Sequence, residues 1–339
     1  MTEDARFGIA LSNEVPLAQS VALACRAEEL GFAEVWVPES RHGRSATTAA
    51  AMLAGATSRI GLGVGVVNPF WRHPSLIAME AATLDEASGG RLKLGLGAGL
   101  WTLHAFGEDD ARARRPLAAM IEAIRVVKAM LEGGTGIDGD VFAVRSDARL
   151  DFEPLRRRVP VFVGAVNERM MRAAGAWADG VYLGAITSPG YTRWSKERVD
   201  EGGREAGRPA GQVDMCANVL TSVSRDVRAA RDACRRVIAY YLYRVEPVVY
   251  ETSGADPDAV AWVRERVPED GVDVVAEKLP EHLIDVFAAA GTPDTVMERL
   301  AAFEEAGLRG LLAWYVFGPD PDEGLRLLAT AVRDRGHGP

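Results

Sequence analysis

Short apolar runs alternate with longer stretches of helical periodicity along almost the whole chain. Phe7 to Leu11 predicts a first strand, and Pro16 to Leu30 an amphipathic helix ended by Gly31. The alternation continues with strands at Ala33 to Val37, Ile60 to Val67 and Leu92 to Leu96, and helices at Thr47 to Thr57, Ser75 to Ala87 and Pro116 to Leu131. An irregular stretch follows, Gly133 to Leu155, whose GIDGD turn at Gly136 to Asp140 suggests a small hairpin. Strands then return at Val161 to Ala165, Val181 to Gly184 and Val213 to Val223, with helices at Glu168 to Ala178, Arg193 to Ala206 and Val227 to Tyr243. A polar, partly helical insertion spans about Glu246 to Leu279. A helix at Thr292 to Ala306, an eighth strand at Leu308 to Val316 and a closing helix at Glu323 to Asp334 complete the pattern.

Eight strands, each followed by helix, predict a parallel sheet. At 339 residues the simplest closure is one (β/α)8 barrel domain over residues 1–339, with insertions after strands 4 and 7. A doubly wound open sheet is the alternative. A barrel places its active site at the C-terminal ends of the strands. The candidates are therefore Ser12 and Asn13, Glu39 to Arg44, Gly65 to His73, Gly97 to His104, Val166 to Arg169 and Gly184 to Ser188.

Composition narrows the function classes. With 39 basic and 48 acidic residues the formal charge is −9, which argues against general binding to nucleic acid or an anionic membrane. Cys25, Cys216 and Cys234 form no CxxC pair, which excludes zinc-ribbon and thioredoxin-type sites and fits a reducing cytoplasm. Met1 to Phe7 lacks the apolar stretch of a signal peptide, and no window has the length of a spanning helix. GLGVG and GLGAG lie on strands rather than at strand-to-helix turns, so neither is a dinucleotide fingerprint. No metal constellation, nucleophile elbow or Walker loop is present.

The most informative segment is Gly63 to Pro74, GVGVVNPFWRHP. Glycines inside a β-branched strand mark either close approach of a flat ligand to the backbone or a glycine-rich barrel corner. Together with VWVPES (Val35 to Ser40), LDEASGGRLKLGLGAG (Leu84 to Gly99), VPVFVGAVNERMMRAAGAWADGVYLG (Val159 to Gly184) and the run Asp285 to Leu312, this segment resembles the luciferase-like superfamily. It is most similar to the branch that uses the deazaflavin coenzyme F420, which includes methylene-tetrahydromethanopterin reductases and F420-dependent glucose-6-phosphate dehydrogenases.

The resemblance implies an oxidoreductase that moves a hydride between C5 of the deazaflavin and a small organic substrate. It also implies a non-prolyl cis peptide at Gly65-Val66, with Val66 and Val67 against the ring and Asn68 at its polar edge. Glu39 stands where many F420 relatives carry an aspartate near the ring; a solvated acid or an ion-pair partner of Arg41 or Arg72 is the competing role. Ser40 and Arg41 replace the histidines that follow the acid in many flavin-dependent relatives. Leu100 replaces the glutamate acid of the sugar-phosphate enzymes, leaving Trp101 and His104 as candidate pocket groups, His104 as an acid or base. Ala165, Val166, Asn167 and Arg169 open the helix that would hold the cofactor phosphate, since free N–H groups at a helix start suit an anion. Glu168 opposes that role by its charge.

His73 and the tyrosines of Tyr240 to Tyr243 read as structural, with a pocket mouth or dimer face as the alternative for the tyrosines. FMN, in a reduced-flavin monooxygenase, is the alternative cofactor, and a non-catalytic flavin-binding protein the third reading. The resemblance further implies a homodimer formed through barrel helices.

Overall fold

The computed structural model describes residues 5–335 apart from 13, 41, 100–114, 135, 136, 138 and 146. Its elements run β1 (Arg6–Ala10), α1 (Leu17–Leu30), β2 (Glu34–Val37), α2 (Ala46–Ala56), β3 (Gly61–Val67), α3 (Pro74–Ala87), β4 (Leu92–Gly97) and α4 (Pro116–Leu131). They continue as β5 (Val161–Gly164), α5 (Glu168–Trp177), β6 (Gly180–Leu183), α6 (Pro189–Glu205), β7 (Asp214–Val223) and α7 (Val227–Leu242). Four short or irregular helices follow: α8 (Pro247–Glu251), α9 (Pro257–Asp270), α10 (Val272–Glu277) and α11 (Glu281–Phe287). The chain ends with β8 (Ala288–Gly291), α12 (Pro293–Glu305), β9 (Gly310–Phe317) and α13 (Pro321–Asp334).

All strand pairs are parallel, and β1 to β7 with β9 close into a ring in which β9 hydrogen-bonds both β7 and β1. This is the eight-stranded barrel that the alternation predicts, and the open sheet is excluded. Residues alternate between two environments along each strand. Ile9, Val35, Leu62, Val64, Leu94, Val161, Val163 and Val181 point outward into a core shared with the helices. Ala10, Trp36, Phe162, Tyr182, Cys216, Leu220, Leu312 and Trp314 point into the lumen.

Three features depart from the sequence reading. Ala288–Gly291 is an additional short strand, paired only with Leu220–Val223 of β7. Its AAAG sequence carries no β-branched residue, so propensity gives no sign of it. The insertion after β7 is larger than Glu246 to Leu279. Helix α7 belongs to it, because its buried Cys234, Val237, Ile238, Ala239 and Leu242 join the lumen residues in one cluster. The helix packed beside β7, β8 and β9 between α6 and α13 is α12 instead. Finally, the GIDGD turn makes no hairpin strand among the described residues. The N–H groups of Asp140, Val141 and Phe142 converge instead on the Glu122 carboxylate of α4.

Local chemistry sets the helix starts that face the mouth of the barrel. Ser45 caps α2, Asn167 caps α5 and Ser188 caps α6, each accepting an N–H of the first turn. His73 begins α3 through its Nδ1, which accepts from Ser75 N at 3.3 Å, so its role is structural as expected.

Candidate active site

Glycines alternate on the lumen side of β3 and β4, and aromatic rings fill the space they leave. A β-carbon on Gly63 would fall inside the Trp36 indole, and one on Gly65 would lie 2.9 Å from Trp36 Cε3 and 3.4 Å from Tyr182 Cε1. Trp36 stacks on Tyr182 with centroids 4.8 Å apart and planes at 15°, and meets Phe162 edge-on at 5.4 Å. These glycines are therefore required first by side chains of the barrel itself. Packing by itself thus accounts for glycine at 63 and 65.

The peptide Gly65-Val66 is cis, as the family resemblance implies, and the β3–β4 register shifts between Val64 and Val67. The shift turns Val66 inward. Its methyls occupy the space beside Gly97 and Gly164, where a β-carbon on Gly164 would lie 2.9 Å from Cγ1. Val66 is partly exposed at the mouth, whereas Val67 is fully buried in the outer core. Val67 can thus offer the lumen backbone only. Asn68 is buried too. Its Nδ2 donates to Ala98 O at 2.6 Å and its Oδ1 accepts from Phe70 N at 2.8 Å, so its amide ties the ends of β3 and β4 together.

Glu39 lies at the mouth, but its carboxylate is occupied. Oε2 accepts from Ala46 N at 3.0 Å, at the start of α2, and Oε1 from Arg72 at 3.1 Å. Arg72 also reaches Glu80 at 3.3 Å. Burial raises Glu80, Arg72 opposes that, and the charge of Glu39 adds to it. The ion-pair role weighed for Glu39 is thus present in the structure.

At the second candidate region, Ala165 is buried in the outer core while Val166, Asn167, Glu168 and Arg169 are exposed at the start of α5. Asn167 Oδ1 accepts from Met170 N at 3.1 Å, and Val166 O accepts from the Tyr191 hydroxyl at 2.9 Å. The helix start faces solvent with Glu168 in its first turn. His104, Trp101, Leu100, Asn13 and Arg41 lie outside the described residues.

Tyr182, Asn218 and Trp314 in the lumen had no role in the sequence reading. Tyr182 donates its hydroxyl to Asn218 Oδ1 at 2.8 Å. Trp314 of β9 meets Tyr241 of α7 edge-on at 5.1 Å, and Tyr241 meets Tyr240 at 5.0 Å. These contacts are the aromatic packing favoured for the tyrosines of Tyr240 to Tyr243. A usable signal existed: Trp36, Tyr182 and Trp314 occupy alternate positions of predicted strands, in phase with the glycines.

At the opposite, N-terminal end of the lumen, Lys93 pairs with Glu34 at 2.5 Å and Arg6 with Asp214 at 2.5 Å. Arg6 lies 3.8 Å from Glu34, whose side chain is 2% exposed. Burial first, and then the charges of Glu34 and Asp214, raise the Cys216 thiol well above its ordinary value. Burial also pushes Cys234 up to about 12, so both thiols stay protonated. Among the described residues no cluster of His, Cys, Asp and Glu could hold a metal ion, and no helix is long and apolar enough to cross a membrane.

A closed parallel barrel whose functional site lies at the C-terminal ends of its strands is the architecture of (β/α)8 enzymes. The chain belongs to the luciferase-like monooxygenase family, whose model matches residues 4–310. It is 31% identical to the 5,10-methylenetetrahydromethanopterin reductase of Archaeoglobus fulgidus, with 96% of this chain and 98% of the relative covered. It is 26% identical to the F420-dependent glucose-6-phosphate dehydrogenase of Microbacterium testaceum, with 99% and 98% covered. The solved coenzyme F420-dependent tetrahydromethanopterin reductase of Methanopyrus kandleri superposes with a TM-score of 0.90 at 27% identity, covering 98% of this chain and 99% of that one.

Proposed function

We propose that this chain is an F420-dependent oxidoreductase. The observation that carries the reading is the inward-turned Val66, seated beside Gly97 and Gly164 at the top of a lumen whose described upper residues carry no charge, in a chain alike end to end to an F420-dependent reductase. Among the described residues, a β-carbon on Gly184 would meet only Tyr182 Cε1, at 3.7 Å. When bound, the deazaflavin supplies a hydride at C5, and the protein's task is orientation and exclusion of water.

Val66 forms a wall for one ring face, with the backbone of Val67 beside it. Gly65 and Asn68 hold that wall, Gly65 by admitting Trp36 and Asn68 by joining β3 to β4. Glu39 acts through α2 and Arg72, fixing the rim. The free N–H groups at the start of α5, with Asn167 and Arg169, receive the phosphate, and Glu168 turns to solvent. His104 remains the proposed proton donor or acceptor. Exposed Met52 of α2 with Leu76 and Met79 of α3 form the apolar helix face for a homodimer.

The second reading is a reduced-FMN monooxygenase. The family's description favours it, as does 32% identity to the 4-hydroxyprotoasukamycin monooxygenase of Streptomyces nodosus over 63% of this chain. Calorimetric titration with oxidised F420 and, separately, FMN decides between them. Tight F420 binding with weak FMN binding is expected. The reverse preference transfers the site to flavin and oxygen chemistry, and binding of neither leaves the barrel fold standing but removes the basis for the enzyme reading.

A further inference from the structure

We infer that the upper lumen takes a planar, uncharged, conjugated substrate whose hydrogen-bond acceptor is met by Asn218, with Tyr182 as the residue that positions the Asn218 amide. The inference rests on the proposed cofactor position beside Val66.

In the ring of eight strands, β9 lies four strands from β4, which is the widest separation the barrel provides. Val66 fills the space beside Gly97 of β4, so the wall facing it across the lumen carries Trp314, flanked by Leu220 of β7. Tyr241 braces Trp314 edge-on from the insertion. A group held between a ring on Val66 and this wall meets an indole on its far side, which favours a flat π-system.

Charge selects in the same direction. The described lumen residues above the Trp36–Tyr182 layer are Ala10, Val66, Asn218, Leu220, Trp314 and glycines, none of them charged. The lumen charges, Arg6, Glu34, Lys93 and Asp214, lie below that layer and pair with one another. A charged substrate buried above would find no described counter-ion there, and desolvation would oppose it.

The polar contact is directional. Tyr182 donates to Asn218 Oδ1, and burial raises the phenol well above its ordinary value, so it remains a donor. With Oδ1 engaged in this way, Nδ2 is the amide's remaining donor and suits a carbonyl oxygen or an unprotonated ring nitrogen.

The test uses the whole protein loaded with oxidised F420 and two probes, 1-isoquinolone and 1-isoquinolone-4-carboxylate, titrated by calorimetry. The neutral probe should bind at least about tenfold more tightly than the anion. Asn218→Leu should weaken the neutral probe by about tenfold while F420 affinity stays at the parent value. Asn218→Asp should give neutral-probe binding that falls as pH rises through the carboxylate range, where the parent profile, corrected for F420's own titration, is flat. Tyr182→Phe should weaken the probe less than Asn218→Leu. Equal or tighter binding of the carboxylate, binding of neither probe, or an unchanged Asn218→Leu overturns the substrate inference. A parent protein that takes up no F420 overturns the cofactor reading and this inference with it. An Asn218→Leu variant that loses F420 as well would show that Asn218 holds the barrel rather than the substrate, and Asn218→Asp repeats that control with a smaller change of shape.

Discussion

At the base of the lumen, Arg6, Glu34, Lys93 and Asp214 reach across from β1, β2, β4 and β7, whereas above the Trp36 layer the described lumen residues are glycine, aromatic, aliphatic or amide. Both ends use glycine, for different purposes. At the base, β-carbons on Gly8 and Gly310 would crowd the Glu34 side chain, at 2.7 Å from Cγ and 3.0 Å from Oε1. At the mouth, glycines make room for Trp36 and Val66. Charge is tolerated inside the barrel where two cations and two anions neutralise each other. Above the Trp36 layer the described lumen residues carry no charge, so no ion pair among them occupies that volume.

The sharpest way to break this contrast is at the base. Lys93→Met strands Glu34 with only the 3.8 Å contact to Arg6, and should cost roughly 3 kcal/mol of stability in urea unfolding. Cofactor affinity at the mouth should not change; if it falls in step with stability, the two ends are not independent. Gly63→Ala comes next, since the added methyl collides with the Trp36 indole and should cost about 2 kcal/mol. Trp36→Leu in the same chain should recover most of that loss, and failure of the rescue would reject the packing account of the strand glycines.

Smaller effects separate rim from base. Glu39→Gln removes an ion pair and weakens an N–H acceptor at α2, and should lower stability by about 1 kcal/mol. A larger loss of F420 affinity than of stability would place the carboxylate on the ring instead. The smallest expected effect is at the entry to β3. Burial would raise Glu28, but the N–H groups of Ile60, Arg59 and Ser58 outweigh it and hold the carboxylate at about 2, below its ordinary 4.5. A depressed folded value means that its stabilisation is complete above about pH 4.5 and disappears as pH falls towards 2. Glu28→Gln should therefore lower the thermal midpoint at pH 7 and flatten its decline between pH 5 and 3, by an amount corresponding to about 0.5 kcal/mol, because solvent screens this exposed carboxylate.

Much of this was legible in the chain. Apolar alternation located the eight barrel strands because each buries one face against helices and so repeats with period two. Asn167 was legible as a helix cap, whereas Ser188 was not, since it begins its helix at Pro189 rather than at the expected Arg193. The motif around Val66 marked the mouth. The roles of single residues were less legible. Val67 and Val66 are adjacent and chemically identical, yet the register shift sends one to the outer core and the other to the lumen. For Glu39 the sequence offered a ring contact, a solvated acid or a pair with Arg41 or Arg72, and only the fold shows Arg72, 33 residues away, on its carboxylate.

What the sequence determined by itself was the order and type of the elements, since periodicity and capping are properties of neighbouring residues. Only the tertiary structure decided which wall α7 packs against, that Ala288–Gly291 extends β7, and that Trp36, Tyr182, Asn218 and Trp314 share one lumen. Those residues come from four strands that meet only when the ring closes between β9 and β1, so no local pattern carries their proximity.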